Sequence, residues 1–340
     1  MTGGKVTSSQ VAAMAGVSRS AVSRVFTPGA SASPKTIEKV RRAARELGYR
    51  PNSLARAMVR GRSRIIGLIV AYLDNQFYPE ALQKLSSALQ ERGYHVLVFM
   101  AERTSGNIDD IVEEILGYQV DGIIAASVSL SSQLTERCRQ LGVPLVLFNR
   151  HQIGAKTPAV TSANRAGGRK VAEFLLAGGH QRIGFIAGWE GASTQVDREA
   201  GFVEVLRQAG QDLFAREVGD FLLEGAKSAT RRMFSGNEFP DAVFVANDHM
   251  AFAVMDTLRS ELGLKVPDDV SVVGYDDVPL AAWPAYNLTT VRQPANRMVA
   301  ETVSILLDQI EGDTDRQDKI EIDGPLIVRG SARLPKEPIS

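Results

Sequence analysis

Two arginines close to the amino terminus are of a residue type that can recognise base pairs. Arg19 and Arg24 lie in one short segment with Ser20 between them. The planar guanidinium of arginine matches the O6 and N7 acceptors of guanine. Residues 1–64 contain 13 lysines and arginines but only two acids, although the whole chain has a formal net charge of zero. This excess of positive charge favours a polyanionic partner; a solvated basic face without a partner is the alternative.

A second group of polar residues follows apolar runs that predict buried strands. Asn149, Asn247 and Asp276 each come directly after such a run. Amides and carboxylates can donate to and accept from neighbouring hydroxyl groups, so these residues are suited to a polyhydroxylated ligand. The alternative for Asn247 and Asp276 is that they only cap helices.

Motifs of several enzyme classes are missing from the sequence. It contains no G-x-x-x-x-G-K-[ST] phosphate loop, no G-x-S-x-G nucleophile elbow and no H-E-x-x-H zinc motif. Cys138 is the only cysteine, and the four histidines show no close metal-ligand spacing. We therefore expect a protein that is not an enzyme and that binds neither a cofactor nor a metal.

The basic segment has the residue pattern of a helix-turn-helix followed by a third helix. Ser8 or Ser9 could cap the first helix, Gly16 suits a sharp turn, and Ser18 could cap the second helix. Three sets of apolar residues recur at helical spacing and would form a small core; they are Val11, Ala12 and Ala15, then Ala21, Val22 and Val25, then Ile37, Val40, Ala44 and Leu47. Ser33-Pro34 and Gly48 suit the ends of the third helix. A small helical bundle with no DNA-binding role is the alternative.

Pro51-Asn52 precedes the segment 53–59, which predicts one or two helical turns that Asn52 could cap. A helix this short is unstable alone in water, because nucleation is costly and few turns offset it. We expect it to be helical only when packed against something; a plain interdomain linker is the alternative.

From Ile65 onward, apolar strands alternate with amphipathic helices, which indicates parallel sheets covered on both faces. The strands fall into two sets and therefore predict two lobes, with the first crossing near 162–164. The candidate strands are 65–71, 96–100, 122–126, 144–148, 183–187, 242–246, 270–275 and 326–329. A ligand pocket is expected between the lobes, outside the carboxyl ends of the strands.

No apolar run of about 18 residues exists, which predicts no membrane span. The segment 1–10 is polar and has no cleavage-site pattern, so we expect a cytoplasmic protein without a secretion signal.

The sequence resembles the lactose-repressor (LacI/GalR) family of bacterial transcription regulators over nearly its whole length. The matching segments near the amino terminus are 11–18, 22–25, 33–36 and 47–56, and those in the body are 66–69, 179–183, 245–248, 271–277 and 288–294. The resemblance implies a small all-α helix-turn-helix domain followed by an α/β body of two lobes, similar to a periplasmic sugar-binding protein.

The resemblance also implies partners and their contacts. A homodimer would bind a pseudo-palindromic double-stranded DNA operator, with Arg19 and Ser20 contacting bases and Thr7 and Ser18 contacting phosphates. The segment 53–59 matches the family's minor-groove hinge helix, with Met58 where most relatives have leucine. The complete predicted DNA-binding set is Thr7, Ser18, Arg19, Ser20, Ser23, Arg24, Asn52, Ala55, Arg56 and Met58.

The implied effector is a sugar, a sugar acid or a similar polyol bound between the lobes. The resemblance adds Arg198, Phe221 and Gln293 to the strand-end residues, while Phe77 and Tyr78 would line the other lobe; ordinary packing is the alternative for the three aromatic residues. The complete predicted effector-binding set is Phe77, Tyr78, Asn149, Arg198, Phe221, Asn247, Asp276 and Gln293. Asp248 is left out of this set as a helix cap or an interface residue.

These patterns predict a regulator with a DNA-binding domain at 1–50, a hinge and linker at 51–64 and an effector-binding and dimerisation body at 65–340. Within the body, the first lobe is expected at 65–162 and 292–322 and the second at 163–291 and 323–333. The sequence names neither the effector nor whether it releases DNA or tightens binding. A solute-binding protein of a transport system is the alternative function, although it would need a secretion signal and no helix-turn-helix.

Overall fold

The structure is a computed structural model that describes residues 6–27, 29–50, 62–101, 108–128, 130–152, 157–312 and 319–334. The chain divides into two compact units, Met1–Ser63 and Arg64–Ser340. In the described part of the chain, no helix is both long and apolar enough to cross a membrane.

The first unit contains three helices, α1 (Ser8–Ala15), α2 (Arg19–Val25) and α3 (Pro34–Leu47). Their core contains the fully buried side chains of Val11, Val22 and Val40. Gly16 adopts a left-handed φ of 62°, which lets the chain turn sharply between α1 and α2. The helix-turn-helix predicted from the sequence is therefore confirmed.

The caps of the three helices agree with the sequence except at α1. Ser18 and Ser33 cap α2 and α3, as predicted. The cap of α1 is Thr7 rather than Ser8 or Ser9, because Thr7 and Gln10 form a reciprocal capping box. That box needs glutamine three residues after the cap, and only Thr7 stands at this spacing.

The first lobe of the body is built on a parallel six-stranded sheet in the order β11-β5-β4-β3-β1-β2. Its strands are β1 (Ile65–Val70), β2 (His95–Met100), β3 (Gly122–Ala126), β4 (Leu145–Phe148), β5 (Ala159–Ser162) and β11 (Lys319–Ile322). Its helices are α4 (Phe77–Glu91), α5 (Ile108–Gly117), α6 (Ser132–Gln140) and α11 (Ala295–Glu311).

The second lobe contains a six-stranded sheet in the order β12-β10-β9-β8-β6-β7. Its strands are β6 (Ile183–Ala187), β7 (Ala215–Val218), β8 (Ala242–Val245), β9 (Ser271–Asp276), β10 (Thr289–Arg292) and β12 (Leu326–Ile327). Its helices are α7 (Asn164–Ala177), α8 (Ser193–Gln208), α9 (Leu223–Met233) and α10 (Asp248–Ser260), with a 3₁₀ turn at Pro279–Ala282.

The predicted pair of parallel, doubly wound sheets is confirmed, with one difference at an edge. β12 pairs with β10 in the antiparallel direction. The chain reaches β12 only four residues after the end of β11 in the other lobe, so it has no crossover helix leading into a parallel pairing. The chain passes between the lobes after β5, after β10 and after β11, which makes three connections at one side of the cleft.

Candidate functional site

The facing edges of the two lobes carry a cluster of buried polar side chains. On the first lobe, Asn149 follows β4 in a left-handed conformation with φ of 70°. Its Nδ2 lies 3.1 Å from both the Tyr78 hydroxyl and Ser127 Oγ. The two hydroxyl oxygens are 2.5 Å apart. Residues from β4, α4 and the end of β3 thus form one hydrogen-bonded patch on the cleft wall.

Phe77 provides an apolar surface beside this patch. Its ring stacks on Phe148 with centroids 6.3 Å apart and meets Tyr78 edge to face at 5.4 Å. The backbone N–H of Phe77 donates to Asn75 Oδ1 at 3.0 Å, which sets the start of α4. Phe77 therefore packs against its own lobe and at the same time forms part of the cleft wall.

On the second lobe, Arg198 is held by three kinds of contact. Its Nε donates to Asn164 Oδ1 at 2.8 Å and its Nη1 donates to the Ala246 carbonyl at 2.5 Å. The guanidinium carbon lies 3.6 Å from the centre of the Tyr275 ring. Because the side chain is only 2% exposed, these contacts fix the orientation of the buried cation.

Asp276 is the carboxylate of the cleft and lies at the end of β9. Its Oδ1 accepts from Gln293 Nε2 at 2.7 Å and lies 3.6 Å from Arg198 Nη2, while its Oδ2 accepts from Asn75 Nδ2 at 3.4 Å. Burial raises the pKa of Asp276, and Arg198 acts in the opposite direction. The contact with Asn75 joins the two lobes directly.

A cavity of about 330 Å³ lies between α4 and the loops after β9 and β10. Three of the predicted effector-binding residues line it: Phe77, Asp276 and Gln293. Gln293 Oε1 is buried without a hydrogen-bond partner. The amide nitrogen donates to Asp276, which sets the orientation of the side chain. An amide oxygen can only accept, so a ligand hydroxyl is a suitable donor to it.

Asn247 and Asp248 differ in role from each other. Asn247 Oδ1 accepts from the Met250 N–H at 3.0 Å, so Asn247 caps α10, which was its alternative interpretation. Asp248 does not cap a helix: its carboxylate accepts from the Thr290 hydroxyl at 2.6 Å and the Val278 N–H at 3.0 Å. Burial raises the pKa of Asp248 well above its ordinary value.

Phe221 belongs to a third part of the cleft. It has a left-handed φ of 59° and is 5% exposed, and its ring lies against Gly188, where a Cβ atom would overlap it. The Arg150 guanidinium carbon lies 5.7 Å from the ring centres of both Phe221 and Trp189. Arg150 comes from the first lobe and both rings come from the second.

The structure adds cleft residues that the sequence analysis missed, notably Asn75 and Arg150. Arg150 immediately follows Asn149, so extending the strand-end criterion by one residue would have found it. Asn75 lies in the turn before α4 and hydrogen-bonds across 201 positions of sequence. No local pattern could have indicated that partner.

The helix-turn-helix unit presents its predicted DNA-binding residues on its surface. Arg19, Ser20, Ser23 and Arg24 are exposed side chains of α2. Thr7 and Ser18 are also exposed, although each additionally caps a helix. The remaining predicted residues, Asn52, Ala55, Arg56 and Met58, lie outside the described residues.

Comparison with known proteins identifies relatives over nearly the whole chain. Residues 9–52 match the family described as bacterial regulatory proteins, lacI family, and residues 172–332 match a periplasmic binding protein-like domain. The chain is 34% identical to the HTH-type transcriptional regulator CelR of Thermobifida fusca, covering 94% of this chain and 96% of that protein. It is 30% identical to the ribose operon repressor of Escherichia coli (strain K12), covering 96% and 99%.

Solved structures agree with these sequence relatives. A lac repressor dimer bound to operator and the anti-inducer ONPF matches with a TM-score of 0.87 and 29% identity, covering 96% of this chain and 99% of that one. A CelR–cellobiose complex matches with a TM-score of 0.72 and 32% identity, covering 96% and 100%.

Proposed function

Because the chain belongs to the lacI family of bacterial regulatory proteins, it is a DNA-binding transcription regulator, and we propose that it is a repressor controlled by a polyol effector. The effector is a sugar, a sugar acid or a similar molecule bound between the two lobes. Relatives are named as a ribose operon repressor and as a regulator in complex with cellobiose, which supports this class.

One observation carries the proposal: the same chain combines an exposed basic helix with a cleft whose walls hold buried polar groups. α2 is the second helix of a helix-turn-helix and exposes Arg19 and Arg24. The cleft contains a cavity of about 330 Å³ and acceptors such as Gln293 Oε1 that lack a partner. A transport solute-binding protein needs only the cleft, so the helix-turn-helix and the relatives favour regulation over transport.

On the DNA side, Arg19 and Ser20 contact base edges, with Arg24 and Ser23 nearby, while Thr7 and Ser18 contact phosphates and set the register. Asn52, Ala55, Arg56 and Met58 provide the minor-groove contacts that the family resemblance implies. Two copies of the chain bind a pseudo-palindromic operator as a homodimer, in the cytoplasm.

On the effector side, direct contacts between the lobes are the groups that the ligand rearranges. Asn75 donates to Asp276, Ser162 Oγ lies 3.0 Å from the Tyr275 hydroxyl, and His151 Nε2 lies 3.1 Å from Asp197. A ligand that replaces some of these contacts changes the preferred angle between the lobes. Its effect on DNA affinity cannot exceed its differential affinity for the two arrangements, and such coupling is typically about 1–3 kcal/mol.

The test has two stages that use the full chain. Selection from a random duplex library should return a pseudo-palindromic sequence bound by two chains. Titration of that duplex in the presence of sugars, sugar acids and polyols should then find at least one compound that shifts affinity about 5- to 150-fold. No sequence preference in the first stage would contradict DNA recognition, and a preference that no compound alters would contradict effector control.

A further inference from the structure

Among the described residues, Arg150 is a buried cation to which no hydrogen bond or ion pair is made. It is 8% exposed, its Nε is buried without a hydrogen bond, and no carboxylate of the described residues pairs with it. The rings of Trp189 and Phe221 are its neighbours, with the guanidinium carbon 5.7 Å from each centre. Aromatic faces stabilise a cation only weakly at such distances, and they offer the Nε–H no acceptor.

The other arginines of the cleft each lie beside a carboxylate. Arg198 is beside Asp276 and also donates to Asn164 and Ala246. Asp277 is paired with Arg292 and Arg329. Among the described residues, Arg150 thus differs from these arginines in having no carboxylate beside it, and a buried charge without compensation is costly.

The start of α8 lies beside Arg150 and is also suited to negative charge. The backbone N–H of His151 donates to Ser193 Oγ at 3.0 Å, and the turn from Trp189 to Ala192 leads into this helix. α8 is 16 residues long, and its cap residue Ala192 has no side chain that could satisfy the first N–H groups. Such a helix start attracts anions through its free N–H groups and its dipole.

The cleft also presents acceptors that need a hydroxyl. Gln293 Oε1 is buried without a partner, and so is one polar atom of the Asn149 amide, assigned as Oδ1. The site thus combines a positive region with separate hydrogen-bonding positions for neutral groups.

We infer that the effector is an anionic polyol, whose carboxylate or phosphate binds Arg150 and the start of α8 while its hydroxyls bind Asn149 and Gln293. This inference rests on the proposed function and narrows its ligand class. Arg150 is then a specificity residue that distinguishes an acid from the neutral sugar of the same shape.

The test measures binding to the full chain by calorimetry with probes that differ in charge. The acids are D-glucuronate, D-galacturonate, D-gluconate and D-glucose 6-phosphate, and the neutral partners are D-glucose, D-galactose and D-glucitol. We expect at least one acid to bind roughly 10- to 100-fold more tightly than its neutral partner, because bonds to charged groups are stronger. The phosphate probe distinguishes the two kinds of anion.

Two variants test whether Arg150 causes the tighter binding of the acid than of its neutral partner. Arg150→Met replaces the guanidinium by an unbranched apolar side chain and should reduce the ratio of acid affinity to neutral affinity to within about threefold of unity. Arg231→Met is the control, since Arg231 is paired with Glu261 on the surface of the second lobe. It removes the same charge outside the cleft and should keep the full preference.

Thermal unfolding gives a second readout, because a ligand stabilises the folded state that binds it. The preferred acid should raise the Tm of the wild type and of Arg231→Met but not that of Arg150→Met. The inference is overturned if no acid binds, if neutral partners bind equally well, or if Arg150→Met keeps the preference. Neutral sugars that bind and alter operator affinity would then leave the proposed function standing.

Discussion

At the scale of single residues, the chain uses its charged groups in two opposite environments. Arg19 and Arg24 are exposed to solvent on α2, where they can contact negatively charged DNA. Arg198, Asp276 and Asp248 are almost fully buried, where each depends on partners supplied by the fold. A substitution therefore affects recognition in the first group and both stability and recognition in the second.

Arg19→Lys should relax sequence specificity without changing the electrostatic attraction to DNA. Lysine keeps the charge but lacks the fork that matches guanine, so we expect a loss of about 1–3 kcal/mol of discrimination at one base pair per half-site. Titrations of the selected operator, of a variant at each position and of random duplex measure this. Equal loss on all duplexes would indicate a phosphate contact instead.

Asp248→Asn should change how stability depends on pH. Burial raises the pKa of Asp248, so the folded carboxyl keeps its proton to a higher pH than the unfolded one, whose pKa is about 3.9. As the pH rises above the unfolded pKa, the carboxyl ionises in the unfolded state but not in the folded state. The contribution of Asp248 to stability is therefore complete below the unfolded pKa and is lost as the pH rises towards the folded pKa.

Thermal unfolding between about pH 5 and pH 8 measures this effect. The wild type should lose stability relative to Asp248→Asn by up to about 1.4 kcal/mol per pH unit until the folded carboxyl ionises. Asp268→Asn is the control, because Asp268 is exposed. Parallel profiles for all three proteins would show that Asp248 does not titrate in this way.

At the scale of elements, the site is assembled from strand ends and helix starts. Asn149 and Asp276 stand where β4 and β9 end, while Asn247 and Phe77 stand where α10 and α4 begin. Glycine allows one further contact: a Cβ atom at Gly168 in α7 would overlap the carbonyl oxygen of Arg198 in α8. This close approach holds α8, and with it Arg198, against the lobe.

Two serine caps in the first unit allow a structural role to be separated from a DNA-binding role. Ser18 and Ser33 each accept a backbone N–H at 3.2 Å, from Ala21 and Thr36. Ser18→Ala and Ser33→Ala should each destabilise the unit by about 1 kcal/mol. Only Ser18→Ala should weaken operator binding beyond that loss, because only Ser18 is proposed to contact phosphate.

Circular dichroism melts and operator titrations of the two variants provide the comparison. The titrations are made well below both melting temperatures, so that each variant is folded. Equal operator affinity of Ser18→Ala and Ser33→Ala would leave Ser18 with a capping role alone.

At the scale of the whole molecule, charge is divided between the two units. The first unit, residues 1–63, holds 12 of the 39 lysines and arginines but only two of the 39 acids. The body is therefore acidic and repels DNA, while the first unit attracts it. This division confines DNA binding to the helix-turn-helix end of the chain.

The division of charge predicts that salt acts on only one of the two binding events. If a dimer neutralises six to ten phosphates, operator affinity should fall by about 10³- to 10⁵-fold between 50 and 200 mM salt. Effector binding in the buried cleft is screened much less and should change only slightly. A shallow salt slope for the operator would contradict the proposed phosphate contacts.

The sequence by itself predicted the helix-turn-helix, the alternation of strands and helices in the body, and the polar residues at the ends of three strands. Those features depend on local periodicity, caps and apolar runs, which are properties of neighbouring residues. The cap of α1 was assigned to Ser8 or Ser9 because serine is a good cap, and only the partner Gln10 shows that Thr7 is the cap. Two predicted strands, 122–126 and 183–187, have the observed bounds, and the other six differ by one or two residues at their ends, while β5, β7, β10 and β11 were not predicted.

Only the tertiary structure decided which polar groups meet and which remain without partners. Asn75 reaches Asp276 from the other lobe, and Arg150 lies against Phe221 and Trp189 with its Nε unbonded. These relations depend on burial and on contacts between distant segments. A buried side chain is satisfied or not according to what the whole fold brings to it, and no local window of sequence contains that information.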